Sequence, residues 1–131
     1  MKMSKKRLLI VDDDPQILNM LGDMLADTGF SLTFSASGEE ALKKLEEEEE
    51  FHLVISDVRM PGIDGFELLK TIKARFKSTK VILMTGYTDD YDISDALILG
   101  ADDYITKPFN ISRVHLAVTN AVTLKKSDKS D

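Results

Sequence analysis

The sequence predicts one doubly wound α/β domain, a five-stranded parallel sheet with helices on both faces. Three observations predict it. Short apolar runs recur at 8–11, 31–34, 53–56, 81–84 and 103–106, the second of them weak. Each precedes a stretch whose apolar residues fall at helical spacing, which makes five βα units. Polar and charged residues gather just after four of the five runs, as they do where parallel strands present their C-terminal ends to a ligand. With 131 residues the chain suffices for one core and not for two.

The first strand, Leu8-Leu9-Ile10-Val11, is continuously aliphatic, the pattern of a strand buried on both faces, and it ends on Asp12 and Asp13. Asp14 before Pro15 caps the first helix, which carries Ile17, Leu18 and Leu21 and stops at Gly29. The weak second strand ends in Ser35-Ala36-Ser37. Ser37-Gly38-Glu39-Glu40 opens a second helix with Ala41, Leu42 and Leu45 inward. That helix runs into Glu46 to Glu50, read as a solvated face that should fray, because acids at a helix C-terminus oppose the macrodipole. The third strand, Leu53-Val54-Ile55-Ser56, delivers Asp57, and Met60-Pro61-Gly62 shapes the loop after it. Asp64-Gly65-Phe66-Glu67 is a capping-box pattern ahead of Leu68, Leu69 and Ile72.

The fourth strand ends at Thr85. A helix over 88–99 follows, expected to bury Ile93, Ala96 and Leu97, and Gly100 ends it. The fifth strand ends at Lys107-Pro108, after which Asn110 caps a last helix with Val114, Ala117, Val118 and Ala121 inward. Residues 1–6 read as an N-terminal flank, 7–124 as the domain, and 125–131, polar and aperiodic, as a disordered tail or the start of a linker. Phe34, Phe51, Phe66, Phe76 and Phe109 read as core or semi-core, and His52 and His115 as ordinary residues away from the acidic edge.

Composition removes several classes of function. No apolar stretch approaches the roughly 18 residues needed to span a bilayer, so a membrane role is not expected. The start through Arg7 is basic, but only four apolar residues follow before three aspartates; a signal peptide needs a longer apolar stretch, so the expected compartment is the cytoplasm. The absence of cysteine removes disulfides, thiolate metal sites and thiol nucleophiles. A net charge of −6 argues against direct nucleic-acid binding, and the basic ends at Lys5-Lys6-Arg7 and Lys125-Lys126 read as solubilising flanks.

Right-handed crossovers align the strand C-termini along one edge, and strand order 2-1-3-4-5 places the switch point between the first and third strands. That order explains why the second strand offers no chemistry, and it brings Asp12, Asp13 and Asp57 together. Carboxylates about 4 Å apart repel by roughly 4 kcal/mol per pair at an effective dielectric of about 20. They persist together only with a cation or a shared proton. A divalent ion is the preferred answer. Mg2+ favours carboxylate and phosphate oxygens, which Asp13 and Asp57 can begin to supply. One carboxylate can then act as a nucleophile toward phosphorus, with Lys107 balancing the phosphoryl oxygens and the Thr85 hydroxyl donating to one of them.

Four fragments carry a resemblance: Leu8-Leu9-Ile10-Val11-Asp12-Asp13-Asp14-Pro15, Asp57-Val58-Arg59-Met60-Pro61-Gly62-Ile63-Asp64-Gly65, Leu83-Met84-Thr85-Gly86, and Asp102-Asp103-Tyr104-Ile105-Thr106-Lys107-Pro108-Phe109. In this order they resemble the receiver domain of a two-component response regulator, over roughly residues 6–124. The resemblance implies a flavodoxin-like (βα)5 fold and phosphorylation of Asp57 from the phosphohistidine of a sensor histidine kinase or phosphotransfer protein. It implies Mg2+, with Mn2+ able to substitute, held by Asp13, Asp57 and the backbone carbonyl of Arg59, with Asp12 holding a metal-bound water. Thr85 and Lys107 would bind the phosphoryl group, and Thr85 and Tyr104 would form the switch. Arg59 and Tyr87 occupy positions that tune phosphoryl lifetime, a bulky Tyr87 hindering the attacking water. The peptide Lys107-Pro108 is expected cis. The face built from 88–124 would meet a downstream protein target or a fused effector, with phosphorylation-dependent dimerisation also open.

On this reading the chain is not an enzyme beyond its own Mg2+-dependent phosphorylation and dephosphorylation. A haloacid-dehalogenase-like phosphatase needs a second acid two residues past the nucleophile, where this chain has Arg59. A flavodoxin-like electron carrier lacks its phosphate-cradling loop here, and a Ca2+ loop starting at Asp12 meets Ile17 where glycine is required. A receiver unable to accept phosphate is disfavoured because every required residue is present. The sequence suits a stand-alone receiver or a part of a larger regulator or hybrid kinase equally.

Overall fold

The computed structural model describes residues 5–86 and 90–129. Elements alternate as β1 (Arg7–Val11), α1 (Pro15–Leu25), β2 (Ser31–Ser35), α2 (Gly38–Glu47), β3 (Leu53–Asp57), α3 (Gly65–Arg75), β4 (Lys80–Gly86), α4 (Asp90–Ile98), β5 (Asp103–Lys107) and α5 (Ile111–Lys129). All strand pairs are parallel, in the order β2-β1-β3-β4-β5. β4 outgrows its apolar run at both ends because pairing extends it: Lys80 sits opposite Leu53, and Gly86 opposite Lys107.

Strand alternation sorts the core into two layers. Leu9, Val11, Val54, Val81 and Leu83 face α2, α3 and α4, where Leu45, Leu68, Leu69, Ile72 and Ala96 cover them. Leu8, Ile10, Ile55, Ile82, Met84 and Ile105 face α1 and α5, against Leu21, Leu25, Val114, Ala117 and Val118. Each large aliphatic side chain so buried contributes roughly 1.5–3 kcal/mol relative to exposure. The expected caps form: Asp14 accepts from the Gln16 N–H at 2.9 Å, Ser37 from Glu40 at 3.1 Å, Asp64 from Glu67 at 2.9 Å and Asn110 from Arg113 at 2.9 Å. Gly100 takes the left-handed φ, 97°, that ends α4. α1 stops earlier than expected, at Leu25, and Gly29, φ 90°, lies four residues on in the turn before β2.

Four other expectations are corrected. Leu97 is 54% exposed, because the helical turn that sets Ala96 on the sheet swings the next residue about 100° away. Phe34 is 38% exposed, since β2 is an edge strand with nothing beyond it, and its ring lies over Gly22 of α1. The acidic run is tethered where fraying was expected. α2 ends at Glu47, but Glu48 pairs with Arg7 at 2.7 Å, Glu46 with Arg75 at 2.9 Å, and Ser78 donates to Glu50. Finally, α5 continues to Lys129, where a disordered tail or the start of a linker is expected from 125 on; no glycine or proline follows Ile111 to stop it.

The histidines have structural partners. His52 Nδ1 accepts the Arg7 N–H at 3.0 Å, and His115 Nε2 lies 2.6 Å from the Met24 carbonyl. Among the described residues, no helix is long and apolar enough to cross a membrane.

Candidate functional site

β1 and β3 are neighbours, and their register pairs Val11 with Ser56, so the acids that follow each strand emerge side by side. Asp12, Asp13 and Asp57 each offer a carboxylate oxygen, all within 4.8 Å of one another. Asp12 is fully buried and Asp57 is 8% exposed, while Asp13 reaches solvent. Asp12 Oδ1 accepts the Asp14 N–H at 2.8 Å, which fixes the carboxylate plane. From the end of β5, Lys107 Nζ reaches Asp57 Oδ1 at 3.2 Å and Asp12 Oδ2 at 3.3 Å.

Burial sets the electrostatics. It raises the Asp12 carboxyl above its ordinary value, against the lowering effects of the Asp14 N–H and of Lys107. Asp57 is raised by burial first and by the Asp12 charge second. Burial alone would lower Lys107, but the Asp57 and Asp12 carboxylates override it and hold the ammonium above its ordinary range. One lysine among three acids leaves the pocket short of positive charge. Thr85, at the end of β4 one step past the Asp57–Met84 pair, is 1% exposed, and its hydroxyl has no hydrogen-bond partner. Converging carboxylates and an orphaned buried hydroxyl fit a hard cation together with an added oxyanion.

The backbone beneath is held closely. A Cβ on Gly65 would stand 2.3 Å from the Asp57 carbonyl oxygen and 2.7 Å from Val58 Cα, so only glycine lets α3 start against the end of β3. The Gly65 N–H donates to the Val58 carbonyl at 2.9 Å. In the loop between them, Arg59 is followed by Met60, 8% exposed, and Glu39 accepts the Ile63 N–H at 3.2 Å.

The structure thus brings together Asp12, Asp13, Asp57 and Lys107, with Thr85 at the end of the strand next to Asp57. Tyr104 is half-buried on β5, three residues before Lys107, and Tyr87 lies outside the described residues. The Lys107-Pro108 peptide is cis. Three features escaped the sequence reading: the packing role of Gly65, which had read only as part of a cap; the ion pairs of Asp102 and Asp103; and a groove of about 460 Å³ lined by Ile17, Met20, Gly86, Lys107, Pro108 and Phe109 beside the site. Each depends on contacts between distant segments, which no local pattern encodes.

The family model described as the response regulator receiver domain matches residues 8–119. The chain belongs to that family. This receiver domain is 36% identical over 113 residues to the alkaline phosphatase synthesis transcriptional regulatory protein PhoP of Bacillus subtilis, covering 86% of this chain and 47% of the relative. It is 33% identical over 119 residues to response regulator SaeR of Staphylococcus aureus, covering 91% and 51%. The chain therefore spans about half the length of the curated relatives it matches. Among solved structures it is similar to the signal receiver domain of an HD domain-containing protein from Pseudomonas fluorescens, at 32% identity and a TM-score of 0.87, covering 95% of this chain and 99% of that one. It is also similar to a CheY-like receiver domain from Methanospirillum hungatei, at 35% identity and a TM-score of 0.82, covering 98% and 100%. The receiver's sheet order and its five helices agree with these neighbours.

Proposed function

We propose that this receiver domain stores a phosphoryl group on Asp57. The observation that carries the reading is the convergence of three carboxylates on one pocket, with Lys107 bridging Asp12 and Asp57 and the Thr85 hydroxyl left without a partner. Asp12, Asp13, Asp57 and the Arg59 backbone carbonyl would hold Mg2+, or Mn2+, which when bound offsets the charge of the carboxylates and phosphoryl oxygens. An Asp57 carboxylate oxygen attacks phosphorus. The O–P bond forms as the N–P bond of a phosphohistidine breaks, and the imidazole leaves. Lys107, already 3.2 Å from Asp57, neutralises a phosphoryl oxygen, and the Thr85 hydroxyl gains the acceptor it lacks. Water attacking phosphorus breaks the Asp57 O–P bond, releasing inorganic phosphate and restoring the carboxylate, and Arg59 and Tyr87 set how fast it does so.

The phosphodonor is read as a sensor histidine kinase or phosphotransfer protein, and the apolar groove beside Lys107 gives such a partner a surface to rest on. The 88–124 face, with Thr85 and Tyr104 as the switch, would carry the output to a protein target, a fused effector or a second copy. We place the domain in the cytoplasm, with no membrane or direct nucleic-acid role and no turnover of a separate substrate; the net charge of −6 supports the nucleic-acid part of this. The test is incubation with Mg2+ and acetyl phosphate followed by intact mass. Wild type should gain about 80 Da, one phosphoryl group. Asp57→Asn should gain nothing; equal gain by both would remove Asp57 as the acceptor.

A further inference from the structure

β5 is the last strand of the sheet, so one of its edges has no strand beside it. An open edge leaves backbone groups unpaired unless side chains meet them. At Tyr104 side chains do so. Its N–H donates to Asp103 Oδ1 at 2.8 Å, and its carbonyl accepts from Arg113 Nη2 at 2.6 Å. The same guanidinium pairs with the Asp103 carboxylate, Nη2 to Oδ1 at 3.1 Å and Nη1 to Oδ2 at 3.5 Å. Arg113 is itself fixed, because its N–H is held by the Asn110 cap in the first turn of α5.

These contacts differ in kind from the rest of the β5–α5 interface. Val114, Ala117, Val118 and Ala121 pack on the sheet through apolar surface, which is non-directional and tolerates small slides. A planar fork holding a carboxylate and a carbonyl at once does not. The strand's start is anchored separately: Asp102 accepts from the Val81 N–H and from Lys73 Nζ, both at 2.8 Å. Its other end is Lys107, bridging Asp12 and Asp57. β5 is thus fixed at one end, coupled to the acidic pocket at the other, and gripped between them by Arg113.

We infer that Arg113 is a positioning residue that makes α5 follow β5, so that a change of charge at Asp57, felt by Lys107, reaches the surface of α5 through the Asp103–Arg113 pair. The inference rests on the proposed phosphoryl acceptance by Asp57. It is tested by amide NMR of the full chain with and without Mg2+ and beryllium fluoride, a stable stand-in for the phosphoryl group. In wild type, amides of Lys107, Tyr104 and the first turns of α5 should all shift. In Arg113→Ala the Lys107 shift should persist while those of α5 shrink about threefold or more. Arg113→Lys, which keeps the charge and loses the fork, should restore only part of the response. Asp103→Asn keeps an acceptor for the Tyr104 N–H and carries the test where Arg113→Ala loosens the fold; combining the two substitutions should add nothing to either alone. A full α5 response in both single variants overturns the inference and leaves the phosphoacceptor reading standing. A wild type with no response at Lys107 overturns both.

Discussion

Lys107 stands within 3.3 Å of two carboxylates that burial holds in their protonated range more than water would, so the pocket at rest is electrostatically unrelieved. The sign of its pH dependence follows. Asp12 and Asp57 have folded-state affinities for protons raised above the ordinary 3.8, so the native state binds more protons than the unfolded chain from that pH upward. Metal-free protein should therefore lose stability as pH rises through this acidic window. Lys107 acts at the other end: raised above 10.5, it lends stability that is present below that value and lost at more alkaline pH. Denaturant unfolding in a chelator across pH checks both limbs, and Asp57→Asn should flatten the acidic one and raise the metal-free melting temperature. Thr85→Val tests the orphaned hydroxyl. Removing a buried hydroxyl without a partner should leave the metal-free fold as stable or raise it by about 1 kcal/mol. The same variant should shorten phosphoryl lifetime in a mass-decay assay, because the oxygen it would have met is left unsolvated. Asp12, Asp13, Asp57, Thr85 and Lys107 were legible in the sequence because each stands at or just past the C-terminal end of a strand, and parallel strands end along one edge. Arg113, Asp102 and Asp103 were not legible as a linkage: Lys73 and Asp102 are 29 positions apart, and nothing local marks them as partners.

At the scale of elements, helix starts were readable because a cap is a local event between residues two or three apart, as at Asp14, Ser37, Asp64 and Asn110. Helix ends and outward faces were less so. The Glu46 to Glu50 run is held by Arg7 and Arg75, which arrive from β1 and α3, and Leu97 is turned outward by the fit of Ala96 to the sheet. The junction of β3 and α3 shows what closeness does for the site. Any side chain at Gly65 collides with the Asp57 backbone rather than with a flexible side chain, so the strand end or the helix must move. Gly65→Ala should destabilise the fold by about 2 kcal/mol or more, a typical overpacking cost. It should also weaken Mg2+ binding, because Asp57 and the loop carrying Arg59 lie on the displaced backbone. Titration of Mg2+ by calorimetry in variant and wild type separates the two effects; unchanged affinity would mean that α3 yields and β3 does not.

For the whole molecule, the sheet order ties energy to function. β1 and β3 lie inside the sheet, buried on both faces, so the carboxylates they carry rest on the most deeply buried part of the fold. β5 and its helix lie at one side, where displacement costs less core. This division was readable from the alternation of apolar runs and helical stretches. The side of the sheet that each helix covers follows from crossover handedness, although the edge bonds that stiffen the margin do not. A buried centre bearing excess negative charge should make the native state, and not the unfolded chain, the form that binds a divalent ion. Binding to one state stabilises it by an amount that grows with the logarithm of concentration, about 2.7 kcal/mol at a hundredfold excess over Kd. The melting temperature of wild type should accordingly climb with Mg2+ and stay level with the same ionic strength of a monovalent salt. Asp57→Asn and Asp13→Asn should each blunt the climb, the first because it removes a buried carboxylate, the second because it removes the acid open to solvent. If monovalent salt raised the melting temperature as far as Mg2+ does, general screening would account for the stabilisation, and the three acids would not form an ion site.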